Sequence, residues 1–240
     1  MCTVTYVPKD HQSFILTSSR DESIHRQPAL APEVHALNQQ KAIFPKDAKK
    51  GGTWIGFTDQ NRTCCLLNGA FKKHAFSDQF TKSRGIVVLD FFNATDLQEF
   101  INKYSFNHVE PFTLIILESQ IDLQLFEFRW DGQQKHLNQL EHDTNHIWSS
   151  STLYTQEQAS AKSDKFIEGL NAHTSSQQLF HLHENGISTD PEIFKYHGIP
   201  GIKTLSITQI EKNMDRIKMR YKNLYKDQRF EISSDSFSHS

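Results

Sequence analysis

Strand-like segments lie at both ends of this 240-residue sequence, and helical segments lie between them. Runs of β-branched and aromatic residues bounded by turn residues predict the strands. This order favours an α+β fold with packed antiparallel sheets over a βαβ alternation. The predicted strands cover 2–7 and 13–19, a hairpin within 51–68 that turns at 59–62, and the segments 112–117 and 123–130, with Asp131-Gly132 turning into the next strand.

Three segments are expected to form helices, and in the first the apolar residues fall on one helical face. The segment 94–105 has capping-box spacing at Thr95 and Gln98, and a helix near 155–170 starts in the same way at Thr155 and Gln158. A further helix is expected near 174–184, ending close to Gly186.

Two other segments are less regular. Residues 203–225 fit both periodicities, and the turn-like "EKNMD" favours a hairpin there. Residues 26–50 carry three prolines and no clean periodicity, so a long surface excursion is expected.

Length and composition narrow the class of protein. The chain is predicted to form one domain over 1–232, followed by a polar, disordered tail at 233–240. The net charge of −2 gives no bulk basic field for nucleic acid. No apolar stretch is long enough to span a membrane, and no signal peptide is visible. Three cysteines do not form a disulfide framework, which favours the cytoplasm.

The opening "MCTVTYV" places a thiol directly behind the initiator methionine. If Val7 pairs with Ser13, Cys2 lies opposite Ser18, and Arg20 and Asp21 follow just beyond it. The expected hairpin therefore gathers a thiol, a cation and a carboxylate in one small volume. Removal of Met1 would add a free α-amine.

These groups have complementary chemistry. A thiol has an ordinary pKa of about 8.5 and an α-amine one of about 7.7–8.0, so proton exchange between them is nearly thermoneutral. Arg20 would favour the thiolate, and Asp21 would orient the amine. An N-terminal Cys2 could then act as a nucleophile in acyl transfer. The alternative is a buried strand cysteine beside a surface Arg–Asp ion pair.

Other groups of polar residues point less clearly to a site. His181 and His183 lie two residues apart, which favours a solvated helix end over a metal site. Cys64 and Cys65 are expected to face different layers. Residues 195–229 carry nine basic and three acidic side chains, which fits a solvated face or a phosphate-bearing ligand such as an acyl-coenzyme A. No glycine-rich phosphate loop occurs.

The sequence contains, in this order, the stretches "MCTVTY", "SSRDESIHRQPALAP", "PKDAKKGGTWIGF", "CCLLNGAF" and "SRGIVVLDFF". Together they resemble the NRDE family, also called the transport and Golgi organisation protein 2 family. The name-giving tetrad begins with Asn in the family and with Ser19 here. The resemblance implies a four-layer αββα sandwich of the N-terminal-nucleophile hydrolase type, similar to choloylglycine hydrolase and penicillin V acylase. It implies Cys2 as nucleophile, Arg20 and Asp21 beside it, and Asn68 as an oxyanion donor.

Two later positions depart from the family pattern. Ser150 stands where the family has an Asn, and Lys203 stands where it has an Arg. Both are weaker candidates for the site, because a hydroxyl is shorter than an amide and an ammonium lacks the guanidinium fork.

Two functions follow from these observations. The first is hydrolysis or transfer of an acyl group at a carbon–nitrogen (amide) or related acyl bond. The second is non-catalytic binding or trafficking of a hydrophobic ligand such as a lipid, an acyl-coenzyme A or haem. The enzymatic reading requires no cofactor or metal, its partner is a small molecule, and the sequence leaves the oligomeric state open.

Overall fold

The structure is a computed structural model that describes residues 3–38, 40–75, 77–171, 174–185 and 201–239. Within these ranges the chain forms thirteen strands, four α-helices and one 3-10 helix. The strands are β1 (Thr3–Asp10), β2 (Ser13–Ser23), β3 (Leu30–Ala36), β4 (Lys41–Lys46), β5 (Ile55–Thr58), β6 (Arg62–Asn68), β7 (Phe112–Glu118), β8 (Gln124–Trp130), β9 (Lys135–Leu140), β10 (His146–Ser149), β11 (Ile202–Asn213), β12 (Arg216–Asn223) and β13 (Gln228–Ser233). The helices are α1 (Arg84–Asn93), α2 (Leu97–Lys103), α3 (Gln156–Gly169), α4 (Ser176–Asn185) and the 3-10 helix Ser234–His239.

The strands form two sheets with antiparallel pairing throughout. The first sheet has the order β10-β1-β2-β11-β12-β13, and the second has the order β3-β4-β5-β6-β7-β8-β9. The first two strands and the last three strands therefore lie in one sheet, in which β2 pairs with β11 along most of the length of β2.

The burial pattern explains the layers. Alternate residues of β1 and β2, such as Val4 and Leu16, join one large core with residues of the second sheet. The residues between them, such as Val7 and Ile15, pack on the other face against Phe166 of α3. Helices α1 and α2 contribute their buried side chains to the large core, and α1 contacts β6. The layers run α3/α4, first sheet, second sheet, α1/α2, and the predicted α+β sandwich of two antiparallel sheets is confirmed.

Most predicted elements are present. The hairpin at 51–68 becomes β5 and β6, the segment 203–225 becomes the β11–β12 hairpin, and α3 begins with a capping box at Thr155 and Gln158. Helix α2 is capped one residue later than predicted, by Asp96, whose side chain accepts a bond from the Glu99 amide. The predicted end of α4 at Gly186 lies outside the described residues.

Two predictions about irregular segments are wrong. Residues 26–50 contain β3 and β4 rather than a surface excursion, because the buried faces of these strands complete the second sheet. Residues 234–239 form a 3-10 helix rather than a disordered tail, because Phe237 packs against the large core. The predicted boundary at 232 falls inside β13.

The register of the first hairpin also differs from the prediction. Val7 pairs with Ile15, and Val4 pairs with Ser18. The strands extend to Asp10 and Ser13, with a bulge between Pro8 and Asp10, so the connection is shorter than the five-residue loop expected. Thr3 consequently lies opposite Ser19, the residue before Arg20.

None of the helices in the described ranges is long and apolar enough to cross a membrane.

Candidate active site

Arg20 and Asp21 lie on opposite faces of β2. Consecutive side chains of a strand point to opposite faces, and the contacts of these two follow that rule. Arg20 faces the second sheet, whereas Asp21 faces α3 and the segment before it. The structure therefore does not place the two side chains in one cluster, although both are about 95% buried.

Arg20 is held by two groups from the segment between β4 and β5. Its guanidinium lies 4.6 Å from the centre of the Trp54 ring, and Nη2 donates to Asp47 Oδ2 at 3.2 Å. Arg26 donates to the same oxygen at 2.8 Å. Burial alone would raise the pKa of Asp47, but a hydrogen bond from the Lys50 amide and the two arginines lower it below its ordinary value. A fixed carboxylate thus orients Arg20.

Two glycines bring the Trp54 segment against the start of α1. A Cβ on Gly52 would lie 2.4 Å from the backbone carbon of Gly85, and a Cβ on Gly85 would lie 2.9 Å from the Thr53 oxygen. The Thr53 amide donates to the Gly85 oxygen at 3.1 Å. The "GGTW" stretch therefore positions Trp54 through a close approach of two backbones.

Asn68 is the last residue of β6, and Ser150 fixes its backbone. Ser150 is fully buried, and its Oγ donates to the Asn68 carbonyl oxygen at 2.7 Å. Gly69 follows with φ of +82°, and a Cβ there would lie 2.3 Å from Ser151 Oγ. Within the described part of the chain, no group bonds the side-chain amide of Asn68.

Asn68, Trp54 and Asp47 line one cavity of about 220 Å³, here called the Asn68 cavity. Glu22, Arg26 and Arg84 also line it.

The charges around this cavity are largely paired. Arg84 donates to Glu110 at 2.9 Å, and its pKa is lowered by burial against the opposing charges of Glu110 and Glu22. Trp54 and Leu66 add apolar surface to the polar and charged residues that line the cavity, which suits a ligand with both kinds of surface.

A second polar cluster lies on the other face of β1 and β2, under α3 and α4. Asp21 Oδ1 accepts from Thr204 Oγ1 at 2.5 Å, and its Oδ2 lies 3.5 Å from the Tyr154 hydroxyl. Lys162 of α3 is buried, and its Nζ donates to Thr3 Oγ1 at 2.9 Å.

His183 of α4 belongs to this cluster, so the predicted solvated helix end is wrong for this residue. Its ring is fully buried, with Nε2 2.8 Å from Thr5 Oγ1 and Nδ1 2.8 Å from Ser19 Oγ. Burial, and then the charge of Lys162, lower the pKa of His183 to about 3. The ring is therefore neutral at physiological pH. The residues described contain no group of three potential ligands placed to hold a metal ion.

The remaining candidates fall in different places. Cys2 lies outside the described residues. Lys203 is exposed on β11 and pairs across the sheet with Glu22, a residue that lines the Asn68 cavity.

Cys64 and Cys65 are fully buried, and burial raises the pKa of the Cys65 thiol to about 12. Burial also raises the pKa of Cys64 well above its ordinary value.

Sequence reasoning missed Asp47, Trp54 and Lys162. Asp47 and Trp54 stand inside "PKDAKKGGTWIGF", which marked the family resemblance without showing what these side chains contact. Lys162 carried no signal, because a lysine in a helical segment is usually solvated.

The comparisons with known proteins agree with this architecture. The sequence matches the Transport and Golgi organisation 2 family over residues 1–228. The chain belongs to that family. A search of curated protein sequences gave no match.

Similar solved structures share the fold at low sequence identity. An N-acylethanolamine-hydrolysing acid amidase orthologue from Caenorhabditis elegans has a TM-score of 0.60 at 10% identity, covering 87% of this chain and 92% of its own. Penicillin V acylase from Agrobacterium tumefaciens has a TM-score of 0.56 at 12% identity, covering 96% and 86%. A variant of conjugated bile acid hydrolase from Clostridium perfringens has a TM-score of 0.55 at 9% identity, covering 98% and 93%. This member of the Transport and Golgi organisation 2 family therefore shares its fold with an acid amidase, a penicillin acylase and a bile acid hydrolase.

Proposed function

We propose that the protein hydrolyses an amide bond or transfers the acyl group of an amide, with Cys2 as the nucleophile after removal of Met1. The observation that carries the proposal is the position of Thr3. It pairs with Ser19, and it is bonded to Cys2. Arg20 follows Ser19 and is fixed by Asp47 and Trp54, which both line the Asn68 cavity. The fold neighbours are named as an amidase, an acylase and a hydrolase, which supports an acyl substrate.

The proposed reaction has two steps. In the first, the α-amine of Cys2 takes the thiol proton, and Sγ attacks the carbonyl carbon of the amide. The carbon–nitrogen bond breaks, the amine returns the proton to the leaving nitrogen, and a thioester remains on Cys2. In the second, the amine takes a proton from water, and the hydroxide attacks the thioester carbonyl. The carboxylic acid leaves, and the proton returns to Sγ.

Arg20 would favour the thiolate form of Cys2, because a fixed cation stabilises the charged nucleophile. Asn68 would donate its side-chain amide to the oxyanion, a contact that is worth ~10²–10³ in rate in other acyl-transfer enzymes. No group in the described residues bonds its side-chain amide, and Asn68 lines the cavity, and both observations support this role.

Ser150 and Lys203 receive different roles from those that the family resemblance implied. The Ser150 hydroxyl holds the Asn68 carbonyl, so we assign it support of the Asn68 backbone rather than oxyanion binding. Lys203 is exposed, so we assign it to the rim of the cavity.

The test uses purified full-length protein and a panel of N-acyl amides and thioesters. Intact mass establishes whether Met1 is removed. Turnover and the mass of a Cys2 acyl adduct are then measured for the wild type, Cys2→Ala and the control Cys64→Ala. We expect turnover and the adduct in the wild type and in Cys64→Ala, and neither in Cys2→Ala.

Retention of Met1 in natively produced protein would overturn the use of the α-amine as base. Turnover that survives in Cys2→Ala would overturn the assignment of the nucleophile. If the wild type forms no adduct with any substrate of the panel, the hydrolase proposal fails and the ligand-binding alternative is favoured.

A further inference from the structure

Lys162 is a buried lysine, which is uncommon, because removing an ammonium group from water is costly unless other groups compensate for it. Its side chain is 3% exposed and lies on the inner face of α3 beside Phe166. The Nζ donates to Thr3 Oγ1 at 2.9 Å. The lysine thus bonds the residue that directly follows Cys2.

A second contact links Lys162 to the neighbouring strand. Its Nζ lies 3.6 Å from the centre of the Tyr154 ring, a distance at which a cation is attracted to the ring face. The Tyr154 hydroxyl lies 3.5 Å from Asp21 Oδ2, and Thr204 donates to the other oxygen of Asp21. Contacts therefore run from β1 through α3 to β2 and β11.

The opposite end of the same hairpin offers a comparison. Lys212 of β11 is also 3% exposed, and it donates to the carbonyl oxygens of Gln12 and Met214. Both lysines stabilise the β1–β2 hairpin from a buried position. Only Lys162 contacts the end of the hairpin that carries Cys2.

We propose that Lys162 is a positioning residue for Cys2: it holds Thr3 in register against Ser19 and thereby fixes the nucleophile that is bonded to Thr3. The proposal rests on the hydrolase function given above. The end of a strand frays unless its side chains are held. A nucleophile displaced by about 1 Å loses up to ~10²-fold in rate.

The experiment compares Lys162→Met with Lys212→Met. Methionine keeps the apolar stem and removes the charge and the donor in both cases. We expect both variants to lower the urea midpoint of unfolding, because both lose a buried hydrogen bond. Only Lys162→Met should lower kcat, by about 10- to 100-fold, with KM within about threefold of the wild type.

Two further measurements keep the outcome clear if Lys162→Met folds poorly or if no substrate is found. Thr3→Val removes the acceptor with little change in shape, and it should lower kcat as Lys162→Met does. The rate of alkylation of Cys2 by iodoacetamide needs no substrate. It should fall several-fold in Thr3→Val and in Lys162→Met, because a strand end that is no longer held does not keep the thiol beside Arg20, the cation that favours its thiolate. It should be unchanged in Lys212→Met.

The results separate this proposal from the function on which it rests. If Cys2 forms no adduct but its alkylation still slows in Thr3→Val, the hydrolase proposal fails and the positioning role stands. If kcat and alkylation in folded Lys162→Met and Thr3→Val match those of Lys212→Met, the lysine is purely structural and the inference is overturned.

Discussion

Arg20 shows how a single residue is placed by groups that are distant in sequence. It lies in the second strand of the first sheet, but its partners Asp47 and Trp54 belong to a segment of the second sheet. Stacking on an indole and bonding to a carboxylate both restrict a guanidinium to one orientation. Since Arg26 shares the same carboxylate oxygen, Asp47 serves as the anchor for two cations.

The thiols allow a prediction at this scale. Cys64 and Cys65 are fully buried and their pKa values are raised by burial, so neither forms a thiolate near neutral pH. We expect iodoacetamide to label only Cys2 in the folded protein at pH 7.5. Peptide mapping by mass spectrometry checks this.

In the same experiment, all three cysteines should react in concentrated guanidinium chloride, which serves as the control. Labelling of Cys64 or Cys65 in the native protein at a rate similar to that of Cys2 would show that β6 is less protected than the structure indicates.

The family motifs indicated Arg20, Asp21 and Asn68, but not which of them face each other. Side chains alternate between the two faces of a strand, so the separation of Arg20 from Asp21 could have been predicted from the sequence. The contacts of Asp47 and Trp54 could not be predicted, because they depend on how the two sheets stack. The burial of Lys162 could not be predicted either, because it depends on how α3 packs on the first sheet.

At the scale of elements, the local sequence patterns predicted the hairpins and helices better than they predicted the strands in the proline-rich segment. β3 is the edge strand of the second sheet, where a proline removes no required hydrogen bond. Pro45 lies near the end of β4, outside the short stretch that pairs with β5. Prolines at these places are compatible with strands, but the sequence does not show where a sheet has its edge.

Helix α4 provides a prediction about pH. His183 binds Thr5 and Ser19 as a neutral ring, with its pKa lowered from an ordinary value of 6.5 to about 3. The unfolded chain therefore binds one more proton than the folded chain between these values. The contribution of His183 to stability is complete above pH 6.5 and is lost as the pH falls towards 3, by about 1.4 kcal/mol per pH unit.

The free energy of unfolding from urea titrations at pH 7.5, 6.5, 5.5 and 5.0 measures this slope. We expect His183→Gln to be less stable than the wild type at pH 7.5 by about 1–2 kcal/mol, with a flatter dependence below pH 6.5. The matched control is His181→Gln, two residues away on the exposed side of α4, which should keep the slope of the wild type. An unchanged slope in His183→Gln would show that this ring is not the group responsible.

The whole molecule keeps the sandwich of its fold neighbours at 9–12% identity. What the chains have in common at that level is an architecture rather than individual side chains. Strands β1 and β2 are buried on both faces here, towards the second sheet on one side and towards α3 and α4 on the other. Many different sequences with side chains of similar volume can preserve one pattern of burial. The shared fold therefore does not identify the substrate of this protein.

The C-terminal 3-10 helix links the two sheets at one edge of the sandwich. It follows β13 of the first sheet, and Phe237 packs edge-on against Phe57 of the second sheet with ring centres 5.8 Å apart. Lys41 of β4 donates its Nζ to the Phe237 carbonyl oxygen at 2.8 Å. Because Phe237 is partly buried in the large core, its removal should destabilise the whole sandwich rather than the tail alone.

We expect Phe237→Ala to lower the free energy of unfolding by about 1–3 kcal/mol, in proportion to the apolar area it buries. A chain that ends at Ser233 should lose at least as much, since the bond from Lys41 is lost as well. Urea unfolding measures both. The control is Ile121→Ala, a large apolar side chain that is 87% exposed and should change stability by less than about 0.5 kcal/mol. If both changes at the C-terminus have an effect as small as that of the control, residues 234–239 do not stabilise the sandwich, and a disordered tail is the better description.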